Sequence, residues 1–157
     1  MSPTKKSNEA LRFFQALYAE DADGFIALWI RQRNGRNRTQ WLPVTDLKGA
    51  AERAVAAAAT ADVYFGVGLQ DKALGPNLRG GAETVVAIPG AWADIDVREE
   101  RTAIGPAYPP TQEAARDGII NRFPIPVSAV VSSGAGLHAY WIFHEPWVLD
   151  SPAERQD

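Results

Sequence analysis

An α+β fold in a single domain is predicted by three observations. Helix-like and strand-like segments are interspersed in the order α, ββ, α, β, β, α, β, β. A length of 157 residues fits one compact domain and can bury a core. No linker, repeat or low-complexity tract divides the chain, and 46% hydrophobic with 22% charged residues is ordinary for a globular protein.

Ser7 is the expected N-cap of a first helix over Asn8–Ala19, with Leu11, Phe14, Leu17 and Tyr18 at helical spacing. After Gly24, Phe25–Gln32 reads as a strand and Thr39–Val44 as its partner. The Asn34-Gly35 dipeptide between them predicts a hairpin. Thr45 is expected to cap a second helix, Asp46–Ala61, whose alanines favour that conformation. Asp62–Gln70 alternates large and small residues and predicts one strand. A loop with Gly75-Pro76 and Gly80-Gly81 follows. Val85–Val97 contains a buried strand near its end, and Arg98–Pro110 is a polar loop. Thr111 caps a third helix reaching about Asn121. Beyond Pro124 and Pro126 come the strands Val127–Ser132 and Leu137–Phe143, separated by a Ser-Gly-Ala-Gly turn.

Composition excludes several classes of function. Sixteen Lys and Arg against nineteen Asp and Glu give a net charge of −3, which rules out a wholesale basic surface but leaves a local basic patch open. The absence of cysteine removes disulfides, thiolate zinc sites, iron–sulfur clusters and a cysteine nucleophile together. Apolar stretches such as Ala54–Ala59 are far short of the roughly 20 residues a bilayer needs. The N-terminal MSPTKKSNEA lacks the apolar run of a secretory signal. No membrane partner and a cytoplasmic location are therefore expected. Walker, Rossmann, GxSxG and HExxH patterns are missing, and two histidines cannot build a three-histidine zinc site.

Three clusters carry chemistry. In Trp92-Ala93-Asp94-Ile95-Asp96-Val97, strand alternation puts Asp94 and Asp96 on one face, their Cα atoms about 6.5 Å apart. Two like charges side by side invite divalent cations, and a pair of hard ions about 4 Å apart is the two-metal arrangement of nucleotidyl transfer. The competing reading is a strand end whose aspartates face water. In Ser132-Ser133-Gly134-Ala135-Gly136-Leu137-His138, a glycine turn feeds a strand, and its backbone N–H groups can cradle a phosphate that His138 also reaches. Its competing reading is a plain hairpin turn. Arg31, Arg33, Arg36 and Arg38, with Trp29 and Trp41 nearby, could grip a phosphate backbone and stack bases, or form a solvated hairpin tip. Arg79, before Gly80-Gly81, is placed to reach a triphosphate.

The order and spacing of these motifs are specific. WADIDV, followed about forty residues later by VVSSGAGLHAYWIF and HEP, resembles the catalytic core of archaeo-eukaryotic-type primases. It is most similar to the primase–polymerase domains of phages, plasmids and other mobile elements. The similarity runs from about Asp62 to Pro146. It implies the primase catalytic fold: an RRM-like sheet with helices behind it, plus an N-terminal αβ unit. It also implies Mg²⁺ or Mn²⁺ bound by Asp94 and Asp96, and His138 on the phosphates of an incoming nucleotide. Ser133, Gly134, Gly136 and Arg79 would complete the nucleotide site, and Arg31, Arg33, Arg36 and Arg38 the nucleic-acid contact. The implied activity is template-directed joining of NTPs or dNTPs on a single-stranded DNA template, with a fused or separate helicase as partner.

Two departures stand out. The family often has serine two places before the histidine, where this chain has Gly136. A third acidic motif belongs well after the histidine strand, and neither Glu145 nor Asp150, Glu154 or Asp157 matches it. The 157 residues are therefore expected to stop before that motif. Two other functions compete: a catalytically incomplete nucleic-acid- or nucleotide-binding module of a replication protein, and a relaxase-like metal nuclease built on His138, Tyr140 and His144. The nuclease reading leaves the paired aspartates unexplained.

Overall fold

A computed structural model describes residues 3–18, 22–97, 108–134 and 136–149. They form an α+β structure in which seven strands join in the order β2 (Asn37–Pro43), β1 (Phe25–Gln32), β4 (Leu69–Gln70), β5 (Val85–Asp96), β7 (Gly136–Val148) and β6 (Ala129–Ser132), with β3 (Ala61–Phe65) paired to β1 off that path. The chain packs as two compact units, Met1–Pro89 with His144–Asp157, and Gly90–Phe143. Helix α1 spans Pro3–Leu17, α2 Leu47–Ala58 and α3 Gln112–Gly118. No helix among the described residues is long and apolar enough to cross a membrane.

In the first unit, β1 (Phe25–Gln32) and β2 (Asn37–Pro43) form the expected hairpin, in register from Phe25↔Pro43 to Arg31↔Asn37. Gly35 closes its turn at φ +82°, a conformation glycine adopts without steric cost. Ile26, Leu28 and Ile30 are buried, as are Phe14 and Leu17 of α1 and Tyr18 just after it, and the Tyr18 hydroxyl donates to the Gly66 carbonyl at 2.9 Å.

Three local expectations are corrected. Helix α1 begins at Pro3, so Ser7 lies inside it: proline at a first helical position has no N–H to leave unpaired and a φ already suited to the helix. The cap of α2 is Asp46, whose carboxylate accepts from the Gly49 N–H, while Thr45 sits in a preceding 3₁₀ turn. The predicted strand Asp62–Gln70 divides into β3 (Ala61–Phe65) and β4 (Leu69–Gln70). Between the pairs Leu28↔Phe65 and Phe25↔Gln70, β1 advances three residues and its partner five, so the Gly66–Gly68 segment bulges.

Two strands are longer than their apolar runs suggested: β5 covers Val85–Asp96 and β7 covers Gly136–Val148, each passing through a proline. In the second unit, β6 (Ala129–Ser132) pairs with β7 from Ala129↔Tyr140 to Ser132↔Leu137. Thr111 caps α3 as expected, accepting from the Ala114 N–H, and the helix ends at Gly118 before a 3₁₀ turn. Ile95, Val97, Ala115, Ile120, Leu137 and Ala139 form this unit's core. The expected Arg98–Pro110 loop lies mostly outside the described residues.

Candidate active site

Alternation along β5 decides which side chains meet the core. Ile95 and Val97 are buried, so Trp92, Asp94 and Asp96 project from the other face. Close backbone approaches then set the neighbouring strand. A Cβ built on Gly90 would lie 3.0 Å from the Ile142 Cα, and one on Gly136 would lie 3.1 Å from the Asp96 Cα. Both approaches fit one antiparallel register, in which Asp94 faces His138 and Trp92 faces Tyr140.

The side chains agree with that register. The Asp94 Oδ1 lies 3.4 Å from His138 Nε2, with the carboxylate 65% and the imidazole 32% exposed. On the other side of the ring, the Tyr140 hydroxyl lies 3.4 Å from His138 Nδ1. An ionised carboxylate only accepts, so Nε2–H points toward Asp94, and in the neutral imidazole the tyrosine hydroxyl supplies the proton at Nδ1. Both nitrogens are thus engaged, and the ring is held between two groups from its own sheet face.

Burial, reinforced by the nearby Asp94 charge, pushes the Tyr140 phenol up to about 12 from an ordinary 10.0. The neutral phenol is the form the fold favours. Its stabilising contribution is fully present below pH 10.0 and is lost as the pH rises toward about 12. At about 1.4 kcal/mol per pH unit, this amounts to roughly 2–3 kcal/mol. Urea unfolding across that window should show the wild type losing this much relative to Tyr140→Phe. Parallel curves would contradict the assignment.

Asp94 and Asp96 supply two hard oxygen donors on one open face. This suits Mg²⁺ or Mn²⁺, which take one or two carboxylates and complete their coordination with water and substrate phosphate. No group of three His, Cys, Asp or Glu side chains capable of holding a metal occurs among the described residues. Asp94 and Asp96 are therefore the carboxylates of this face that could hold such an ion. Glu145 lies on the part of β7 that belongs to the first unit, and Asp150, Glu154 and Asp157 lie outside the described residues.

The glycine turn is narrower as an anion cradle than its composition suggested. Gly134 takes φ +93°, and the Ser133 N–H donates to the Gly136 carbonyl at 3.0 Å, so that amide closes the turn. The Ser132 hydroxyl donates to Gln112 Oε1 at 3.1 Å, tying the turn to α3. Ala135 lies outside the described residues.

The basic residues distribute differently from the expectation of one grip. Arg31, Arg33, Arg36 and Arg38 are all exposed. Arg31 shares the face of Trp29, but Arg38 pairs with Ile30 on the opposite face. There Arg38 lines an open groove with Gln40, Arg53 and Thr60; Arg53, one helix away in sequence, carried no signal of its own. The Arg79 guanidinium lies 4.0 Å from the centre of the Trp29 ring, so the first unit gives it a cation–π partner.

Two roles in the second unit are not given by the sequence alone. Tyr140, expected only as part of a nuclease centre with His138 and His144, places its hydroxyl beside His138 Nδ1. Trp92 flanks the paired aspartates in sequence, and period-two alternation from Asp94 puts it on their face. Comparisons with protein-family models, curated proteins and solved structures found no match for the chain.

Proposed function

We propose that the chain is the core of a template-directed nucleotidyltransferase of the primase–polymerase kind, with the second unit as its nucleotide site. The observation that carries this reading is the meeting of Asp94 and His138 at 3.4 Å on adjacent strands, with Asp96 on the same face. Two motifs about forty residues apart thereby form one acidic and imidazole-bearing surface. We read the fold as that of the archaeo-eukaryotic primase catalytic core, and the partners as NTPs or dNTPs, a single-stranded DNA template and a helicase.

In this reading Asp94 and Asp96 hold Mg²⁺ or Mn²⁺, which when bound supplies charge neutralisation at the reacting phosphates. His138, steadied by Tyr140, donates from Nε2 to a phosphate oxygen once the Asp94 carboxylate turns to its ligand. The turn at Gly134 lets the incoming triphosphate approach the backbone closely. Asp96 keeps its place because Gly136 has no side chain to push it away. The exposed arginines of the hairpin guide the template by its phosphates.

Primer synthesis tests the reading. With Mn²⁺ or Mg²⁺, nucleoside triphosphates and single-stranded DNA, the wild-type chain should yield products and Asp94→Asn should yield none. The second reading, an incomplete binding module, draws on the two-carboxylate count among the described residues. Nucleotide binding without products would favour that module. The nuclease reading leaves the paired Asp94 and Asp96 unexplained, and Tyr140 is buried with its hydroxyl turned to His138 Nδ1.

A further inference from the structure

Trp92 is 54% exposed, although tryptophan carries one of the largest apolar surfaces of any side chain. It stands two residues before Asp94 and faces Tyr140, on the open side of the strand. The features of that face lie in a row. Asp96 and the glycine turn come first, Asp94 with His138 second, and Trp92 with Tyr140 third. From Asp96 to Trp92 the row spans about 13 Å at the rise of a strand. An extended nucleoside triphosphate has the same polarity of chemistry, with anionic phosphates at one end and an aromatic base at the other.

We propose that Trp92 is the stacking surface for the base of the bound nucleotide and so fixes which end of it points along the strand. This rests on the nucleotide-site reading given above. An indole face binds any nucleobase through its π-system, so the residue would favour nucleotides over bare polyphosphates without selecting among bases. The neighbouring groups leave little else for this role on the face. His138 is engaged at both ring nitrogens, and Tyr140 is buried at 2% exposure. Trp92 contributes a flat, accessible ring where the row ends.

The test compares ATP with inorganic tripolyphosphate, each titrated in Mg²⁺ into the full chain and into Trp92→Ala and Trp92→Phe. In the wild type ATP should bind about 5- to 150-fold more tightly than tripolyphosphate, the range expected for one base stacked on an aromatic ring. Trp92→Ala should bring the two ligands within about twofold of each other while leaving tripolyphosphate affinity unchanged, and Trp92→Phe should restore most of the gap. Thermal unfolding of Trp92→Ala should match the wild type, since the ring is mostly exposed. A preference for ATP that survives in Trp92→Ala overturns the proposal and leaves the nucleotide site standing. So does a wild type that binds tripolyphosphate as tightly as ATP. Failure of the wild type to bind either ligand overturns the site itself, and the Trp92 proposal with it.

Discussion

Replacing Asp94 with alanine should lower nucleotidyl transfer by about 10³-fold or more while leaving the fold intact. The magnitude follows from losing one of the two carboxylates proposed to hold Mg²⁺ or Mn²⁺ at the reacting phosphates, a term worth several kcal/mol at about 1.4 kcal/mol per tenfold in rate. The fold should be spared because the carboxylate is 65% exposed and water can replace it beside His138. Asp94→Asn is the sharper variant. It keeps the shape and can still accept from His138, but it removes the charge. Single-turnover rates and unfolding midpoints of both variants check this. A rate within tenfold of wild type would show that Asp94 is a solvated strand residue.

Gly136→Ala should be the most destabilising single methyl in the second unit. A Cβ there would run into the Ile95 carbonyl oxygen, and the next atoms it meets are the Ile95 carbonyl carbon and the Asp96 Cα. None of these is the free end of a flexible side chain, so β5 and β7 must separate locally. Forcing extra volume into such a contact costs about 3 kcal/mol, or roughly 10 °C in unfolding midpoint for a chain of this size. Activity should fall with stability, because the strand that moves carries Asp94 and Asp96. Gly118→Ala is the control, since a Cβ there meets nothing within 4 Å. Its midpoint should stay near that of the wild type. Equal midpoints for both variants would mean that β7 tolerates a side chain at 136.

Much of the site was legible because it depends on period-two alternation, which is a local property. The shared face of Asp94 and Asp96, the burial of Ile95 and Val97 and the Phe25–Gln32 hairpin strand all follow from residues close in sequence. Long-range pairings were not legible. Nothing near His138 announces that it faces Asp94, since this depends on how β5 and β7 slide against each other. That register is marked by the two glycines at which their backbones crowd. Likewise, Arg79 reads as a loop arginine until its guanidinium is seen over Trp29. Local rules also failed where one punctuator outweighed another. The capping signal of Ser7 lost to a proline start, and Pro89 did not break β5.

If Asp94, Asp96 and His138 form one metal-dependent nucleotide site, nucleotide binding must depend on the metal and on both carboxylates. The most direct measurement titrates a nucleoside triphosphate with Mn²⁺ into the wild type and into Asp94→Ala/Asp96→Ala, following binding by calorimetry. Binding in the wild type should require Mn²⁺ and be lost in the double variant. Equal affinity in the two proteins would contradict it.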